Sequence, residues 1–503
     1  MTTGLLQRAE RRRVEALATL DADHQARLGQ FFTPERAAQL IAGLPRLPQT
    51  GTLRVLDPGA GSGSLTAALI ERVLTEAPHL SVDLVAVEID PVVADFAGAT
   101  LDDCARTASE RGATVTSRVV VGDFIELRTA GMFEDALSER FDIVIMNPPY
   151  AKLAAGSDHR KGLRQAVVDC PNLYAAFLAL GADALHAGGQ LVAITPRSFA
   201  NGPYFEQFRR YLLGELALDR LHTFESRSTV FADTGVLQEN IVLSATRGGD
   251  REKVMLSVSS GHTDTAVEHV VDYDEIVRPG DPHQFLRISA GDADTAVAEL
   301  MALMPSTLTD IDLHISTGRV VDFRSRECLL DGPEPGSVPL IYPGNLRNGV
   351  VEWPREIRKP QGFAAHTEKD RKLLMPTGAY VLVKRFSAKE ERRRIVAAVW
   401  NPETDGATPV AFENHVNVFH SGGEGLDLAT AVGLSLWLNS TAVDKFFRTF
   451  SGHTQVNATD LRTLRYPTAD ALRSLGLGRT PVLPDQDSID ALVREHLLGD
   501  HDV

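Results

Sequence analysis

Phe141-Asp142-Ile143-Val144-Ile145-Met146-Asn147-Pro148-Pro149-Tyr150 is the stretch on which the fold turns. Its first six residues form a short apolar run with the length and branching of a buried parallel strand. An amide side chain, a carbonyl with no competing N–H behind it, and an aromatic ring then follow in succession. The two prolines fix φ and keep the residues before them out of helical conformation, so the turn is stiff. Open α/β sheets bind ligands at the carboxyl edge of their strands, which is where this turn falls. Such a turn suits a planar substrate bearing an amine, a nucleobase for example.

Outward from this strand, apolar runs alternate with helical stretches. Strands are predicted over 54–57, 82–87, 117–121, 141–146, 190–194, 218–224 and 239–244. Helices fit between them over 65–75, 91–110, 173–187 and 205–213, and residues 4–28 read as a further helix packed on this domain. Strand–helix alternation predicts an α/β fold with a seven-stranded, mostly parallel sheet, one of the last two strands being antiparallel. Residues 1–250 form this domain, 251–310 an acidic connector with some strand content, and 311–503 a Gly-, Pro- and Asn-rich α+β domain without clear βαβ units.

The chain of 503 residues has ample length for two or three cores. Its 43% hydrophobic and 23% charged content exclude disorder. No run of 18 apolar residues predicts a membrane span, and the N-terminal residues lack an apolar signal core, so a cytoplasmic protein is expected. Cys104, Cys170 and Cys328 lie far apart, which argues against a disulfide framework and a cysteine zinc site. The net charge of −16 speaks mildly against a nucleic-acid partner, yet local patches set the field in a cleft. Lys384, Arg385, Lys389, Arg392, Arg393 and Arg394 crowd one segment, and Arg319, Arg324 and Arg326 another. A solvated surface and a phosphate-contacting surface are both open readings of these runs.

Asp57-Pro58-Gly59-Ala60-Gly61-Ser62-Gly63 follows the first strand and opens a helix. Its glycines permit a tight turn and close approach to a ligand, but the spacing is neither that of a dinucleotide fingerprint nor that of a phosphate-binding loop. The second strand ends at Glu88, where such folds hold ribose hydroxyls. The third ends Gly122-Asp123-Phe124, offering an acceptor for an exocyclic amine and a ring to cover a purine face. Each of Glu88, Asp123 and Phe124 is open to a turn or core role by itself. Three suitable strand ends in order point to S-adenosylmethionine.

With these motifs the chain resembles the amino-methylating DNA methyltransferases, specifically adenine-N6 enzymes of the gamma arrangement found in type II restriction–modification systems. In that family a Rossmann-like methyltransferase sheet precedes a target recognition domain. Gly29-Gln30-Phe31-Phe32-Thr33-Pro34 resembles the motif around the methionine end of the cofactor. The resemblance implies cofactor contacts from Phe31, Thr33, Pro34, Asp57, Gly59, Gly61, Glu88, Asp123, Phe124 and Asn147, and catalysis by Asn147, Pro148, Pro149 and Tyr150.

Asn147 Oδ1 and the Pro148 carbonyl would each accept one hydrogen of adenine N6 and localise its lone pair, with no metal required. Tyr150 would stack on a base flipped out of double-stranded DNA, with Phe231, from the segment Val230–Ile241, as a second aromatic contact or a plain core residue. Ser451–Ala458 is similar to a segment of recognition domains; within it His453 and Gln455 either touch DNA or stabilise a loop, and Lys384 and Arg385 would meet phosphates. The loop 151–164, with Lys152, His159, Arg160, Lys161 and Arg164, would close over the base or touch the backbone.

A cognate restriction endonuclease is the expected companion, and no nuclease cluster is found within the chain. RNA adenine or protein glutamine methylation is the alternative chemistry. A non-catalytic DNA-binding specificity component is the alternative of another class.

Overall fold

Apolar runs bounded by Gly, Asp and Pro become nine strands of one sheet: β1 (Thr52–Pro58), β2 (Ser81–Glu88), β3 (Thr114–Val121), β4 (Phe141–Met146), β5 (Leu185–Pro196), β6 (Leu216–Phe224), β7 (Asn240–Arg247), β8 (Lys253–Ser259) and β9 (Val267–Asp272). The computed structural model describes residues 4–20, 32–129, 135–201, 203–224, 240–259, 266–288, 297, 300–301, 303–387, 391–402, 408–450 and 455–498. It divides into two units, Met1–Ala290 and Gly291–Val503.

The strand order is β3-β2-β1-β4-β5-β7-β6-β8-β9. β1 is parallel to both β2 and β4, β2 to β3, and β4 to β5, whereas β7 runs antiparallel to β5 and β6. The chain therefore leaves β1 in one direction and resumes on its other side with β4, a topological switch point that places the ends of β1 and β4 side by side. Seven of the nine strands match the sequence expectation, and the antiparallel one is β7. The count of seven falls short: β8 pairs parallel with β6 and β9 antiparallel with β8. The first half of the stretch read as a connector is thus the sheet's own edge. β9 alternates exposed and half-buried residues, the weak pattern of an edge strand.

Both faces of the sheet are covered. The helices that matter for the site are α1 (Leu5–Thr19), α2 (Glu35–Ala42), α3 (Ser64–Glu76), α4 (Pro91–Glu110), α5 (Phe124–Thr129), α6 (Asp158–Ala166) and α7 (Leu173–Ala184). Ile143 and Ile145 of β4 pack with α3 and α4 residues, while Val144 and Met146 pack with α7. Each such side chain contributes about 1.5–3 kcal/mol of burial. α7 presses directly on β4, since a Cβ at Gly181 would lie 2.6 Å from Met146 Cε. α7 stops at Ala184, short of the predicted 187, because Leu185 begins β5.

α4 begins where Asp90 Oδ1 accepts the N–H groups of Val92 and Val93 (2.9 and 3.3 Å), with Pro91 at the first helical position. α1 is tied to α4 by Asp103, a fully buried carboxylate that accepts from Arg8 Nε (2.6 Å), Arg12 Nη1 (3.1 Å) and Arg106.

The second unit holds a six-stranded and a five-stranded sheet built from strands of two to five residues, with helices toward its C-terminal end. All three cysteines are buried and unbridged. Among the described residues no helix is long and apolar enough to cross a membrane.

Candidate active site

After β1 the backbone turns through Gly59, Gly61 and Gly63 at φ of +73°, +57° and +82°. The N–H groups of Gly59 and Ala60 donate to the Val87 carbonyl (2.8 and 3.0 Å), which pins the turn to the end of β2. Gly61 N–H donates to Glu88 Oε2 at 2.9 Å. A Cβ at Gly61 would come within 3.0 Å of the Phe32 ring, and one at Gly59 within 3.3 Å of Phe177. The glycines therefore serve both the left-handed backbone and the closeness of two aromatic walls.

Glu88 is buried, and its second oxygen accepts Asp90 N–H at 3.1 Å. Burial raises its carboxyl above the ordinary range, against the bonds from the Asp90 and Gly61 amides. Asp57 is fully buried at the end of β1. Burial pushes its carboxyl up to about 7; the hydrogen bond from Thr66 Oγ1 opposes this and the charge of Glu88 adds to it. Thr66 occupies Oδ2 at 2.7 Å, while Oδ1 has no hydrogen-bond partner.

At the end of β3, Asp123 Oδ1 caps α5 by accepting from Ile125 and Glu126 N–H (2.8 and 3.2 Å). Its Oδ2 lies 3.3 Å from His159 Nε2. Phe124 is a core residue whose ring centroid stands 5.1 Å from that of Phe177, the planes tilted by 51°.

These strand ends enclose a cavity of about 330 Å³, lined among others by Phe32, Glu88, Asp123, Phe124, Asn147 and Phe177. A recess of about 20 Å³ shares Phe32, Gly59, Gly61 and Asn147 with it and reaches Thr33, Ser62 and Ser64 at the start of α3. The cavity is within the range of small-ligand sites, and a helix start suits a carboxylate. Glu88 is a buried carboxyl in the cavity wall, and the buried Asp57 carboxyl stands at the end of β1 just before the Gly59 turn; negative charge there suits a positively charged ligand. S-adenosylmethionine, with its sulfonium, ammonium, carboxylate and adenine, fits this set of donors and acceptors.

Asn147 borders both cavities. Its Nδ2 donates to Thr33 Oγ1 (3.1 Å), and the Tyr150 hydroxyl donates to its Oδ1 (3.2 Å). The amide is thus held from both ends. Burial, with Tyr174 nearby, raises the Tyr150 phenol far above its usual value, so it stays an O–H donor at any working pH. The Tyr150 ring meets Tyr174 edge-on (6.3 Å, 87°), and the Tyr174 hydroxyl pairs with Ser198 Oγ at 2.8 Å. Pro149 lines the cavity and Pro34 precedes α2.

The structure brings Thr33, Gly59, Gly61, Glu88, Asp123, Phe124, Asn147 and Pro149 to the walls of the two cavities, with Tyr150 bonded to Asn147, whereas Asp57 is buried at the end of β1 and lines neither. Phe31, Phe231 and His453 lie outside the described residues. The sequence reading passed over Phe32 in favour of its neighbour Phe31 within the same motif, and missed Phe177, whose pattern was that of an ordinary core residue. The segment after the tetrad is less available than expected: Arg160 and Arg164 both grip Asp169 (2.6 and 2.9 Å), whereas Lys152 and His159 line the cavity.

In the second unit, residues far apart in sequence converge around Arg385. Its N–H donates to the His415 carbonyl (3.0 Å), its carbonyl accepts from Val456 N–H (2.7 Å), and its Nη1 donates to the Asn414 carbonyl (2.7 Å). Lys384 ends a strand beside it. Phe386, 47% exposed, bridges to Gln455 and packs its ring 5.2 Å from His415. Arg393 and Arg394 depart from a phosphate-contacting surface, while Arg392 is exposed and Lys389 lies outside the described residues. Arg394 is fully buried over the Phe447 ring, donating to Ser387 Oγ, and Arg393 donates to the Ser440 carbonyl. Arg319 is likewise bonded to the carbonyls of Lys372 and Leu374.

A parallel sheet with an antiparallel strand set between β5 and β6, a glycine turn, and acids closing two neighbouring strands beside an Asn-Pro-Pro-Tyr turn define a Rossmann-like methyltransferase. Residues 117–231 match the Eco57I restriction-modification methylase family. The chain is 40% identical to the type II methyltransferase M.BsuBI of Bacillus subtilis over 95% of both proteins. It is 38% identical to the type II methyltransferase M.PstI of Providencia stuartii over 96% of both. The solved structure of the type IIL restriction-modification enzyme MmeI in complex with DNA matches in fold, with a TM-score of 0.56 at 11% identity over 98% of this chain and 77% of that one. The chain belongs to the type II methyltransferases of restriction–modification systems, and its methyl donor is S-adenosylmethionine.

Proposed function

We propose that the chain transfers a methyl group to N6 of an adenine flipped out of double-stranded DNA, in the cytoplasm, and so protects that DNA from a cognate restriction endonuclease. The observation that carries this reading is the Asn147 amide, fixed between Thr33 and Tyr150 at the wall of the cofactor cavity. Bound S-adenosylmethionine supplies an electrophilic methyl on sulfur. Adenine N6 is a poor nucleophile because its lone pair is delocalised into the ring. Asn147 Oδ1 and the Pro148 carbonyl each accept one N6–H, favouring a tetrahedral nitrogen with its lone pair aimed at the methyl. Proline at 149 leaves no N–H to compete for that geometry. Tyr150 presents its ring to the flipped base, its hydroxyl already engaged with Asn147.

The second unit serves as the target recognition domain in this reading. Lys384 and Arg385 contact phosphates, and Gln455, joined by the exposed Phe386, reaches the base edges. The test is methylation of DNA with labelled cofactor, followed by chromatographic identification of the modified nucleoside. N6-methyl-2′-deoxyadenosine is expected from the wild type, and Asn147→Ala should abolish it with a far smaller effect on cofactor affinity. Methylated cytosine in its place, or near-normal transfer by Asn147→Ala, would overturn the proposal.

A further inference from the structure

His159 stands where the segment after the catalytic turn meets the cofactor cavity. Its Nε2 lies 3.3 Å from Asp123 Oδ2 and 3.3 Å from Glu126 Oε1. Both are contacts of ion-pair range, and either carboxylate attracts the ring through the N–H at this nitrogen. The two contacts are unequal. The Glu126 side chain is 71% exposed and its contact is screened by water, whereas that of Asp123 is 19% exposed and lines the cavity. Asp123 Oδ1 is already committed to two backbone amides, so Oδ2 is the oxygen left to receive an exocyclic amine.

The backbone that carries His159 is held independently of its ring. α6 packs tightly on α5, since a Cβ at Gly162 would lie 2.9 Å from Thr129 Oγ1. Arg160 and Arg164 anchor the same helix to Asp169.

We propose that His159 is a positioning residue of the cofactor site. Its Nε2, in ion-pair range of Asp123 Oδ2, restrains the rotation of the carboxylate that receives the cofactor's adenine amine. A carboxylate held by its cap alone can swing Oδ2 away from the cavity. The inference rests on the assignment of Asp123 to the cofactor's adenine.

The full-length protein is assayed for S-adenosylmethionine affinity by calorimetry and for its KM and kcat on DNA. His159→Ala should raise both Kd and KM for the cofactor about tenfold, with kcat changed by less than about twofold, as expected for the loss of one charge-assisted contact. His159→Gln, which retains an N–H donor near the position of Nε2, should recover most of the affinity. An unchanged Kd in His159→Ala alongside a raised Kd in Asp123→Ala would overturn the role of His159 and leave the cofactor assignment standing. An unchanged Kd in both would overturn the assignment itself. His159→Gln as weak as His159→Ala would refute the donor role. So would a wild-type Kd that tightens with Mn²⁺ and relaxes with EDTA, because the three side chains would then be holding a cation.

Discussion

Replacing Asp57 with asparagine should make the cofactor-free protein more stable at pH 8 and a poorer binder of S-adenosylmethionine. Burial, opposed by Thr66 and reinforced by Glu88, pushes this carboxyl up to about 7. The folded chain therefore holds the Asp57 proton more tightly than the unfolded chain, whose carboxyl titrates near about 3.9. Asp57 costs nothing below pH 4, and its penalty grows as pH rises from 4 to 7. Above 7 the full cost of ionising it in place is felt, about 4 kcal/mol, against about 1.5 kcal/mol at pH 5. Asparagine keeps the bond from Thr66 but sets an amide N–H₂ where Oδ1 has no partner, which costs about 1–3 kcal/mol.

The difference leaves the variant about 2 kcal/mol more stable than wild type at pH 8 and no more stable at pH 5. Urea unfolding followed by circular dichroism at both pH values measures this. All three tryptophans, Trp353, Trp400 and Trp437, fall in the second unit, so fluorescence follows that unit while circular dichroism follows the whole chain. The neutral side chain also removes a negative charge at the end of β1, just before the Gly59 turn that lines the cavity, and affinity should fall about tenfold or more. A variant that is less stable than wild type at pH 8, or that binds the cofactor equally well, would refute the reasoning.

Gly61→Ala forces a side chain into the left-handed region, at about 1–2 kcal/mol, and drives a methyl against Phe32. Cofactor affinity should drop at least about tenfold while the thermal midpoint moves only a few degrees, as calorimetry and a melting curve would show. Asp103→Ala strands Arg8 and Arg12 without their shared carboxylate. The arginines are only a fifth to a third exposed, so a loss of roughly 2–3 kcal/mol is expected in urea, somewhat below a fully buried pair. Burial acts to raise the Asp103 carboxyl, and Arg8 and Arg12 outweigh it and hold it below the ordinary range. Its contribution is therefore present above about pH 4 and is lost as pH falls below that, so wild type and variant should converge in acid.

The catalytic half was legible because a doubly wound sheet turns chain order into position. Each parallel strand delivers its last residues to one edge, so Asp57, Glu88, Asp123 and Asn147 could be read off as successive strand ends without knowing any tertiary contact. Side chains that come from helices escape that rule. Phe177 sits in the middle of a nearly all-buried α7 and looks like core, yet its ring edge is a wall of the cavity because β4 and the Gly59 turn lie against it.

In the second unit no such mapping exists. Its strands are two to five residues long and pair across large separations, Arg385 with His415 and Val456 for instance, so neighbours in space leave no periodic trace in the chain. The charge run at 384–394 illustrates the consequence. By composition its six basic residues are equivalent, but Asp444, Ser440 and Ser387 take Arg393 and Arg394 into the interior, while Lys384 and Arg385 stay at a strand end beside Gln455. A buried arginine needs partners arriving from elsewhere in the fold, and no count of local charge contains that information. Under the proposed function, recognition of a particular DNA sequence depends on the same kind of long-range placement, which is why methyl transfer from S-adenosylmethionine was legible in the motifs and a target sequence was not.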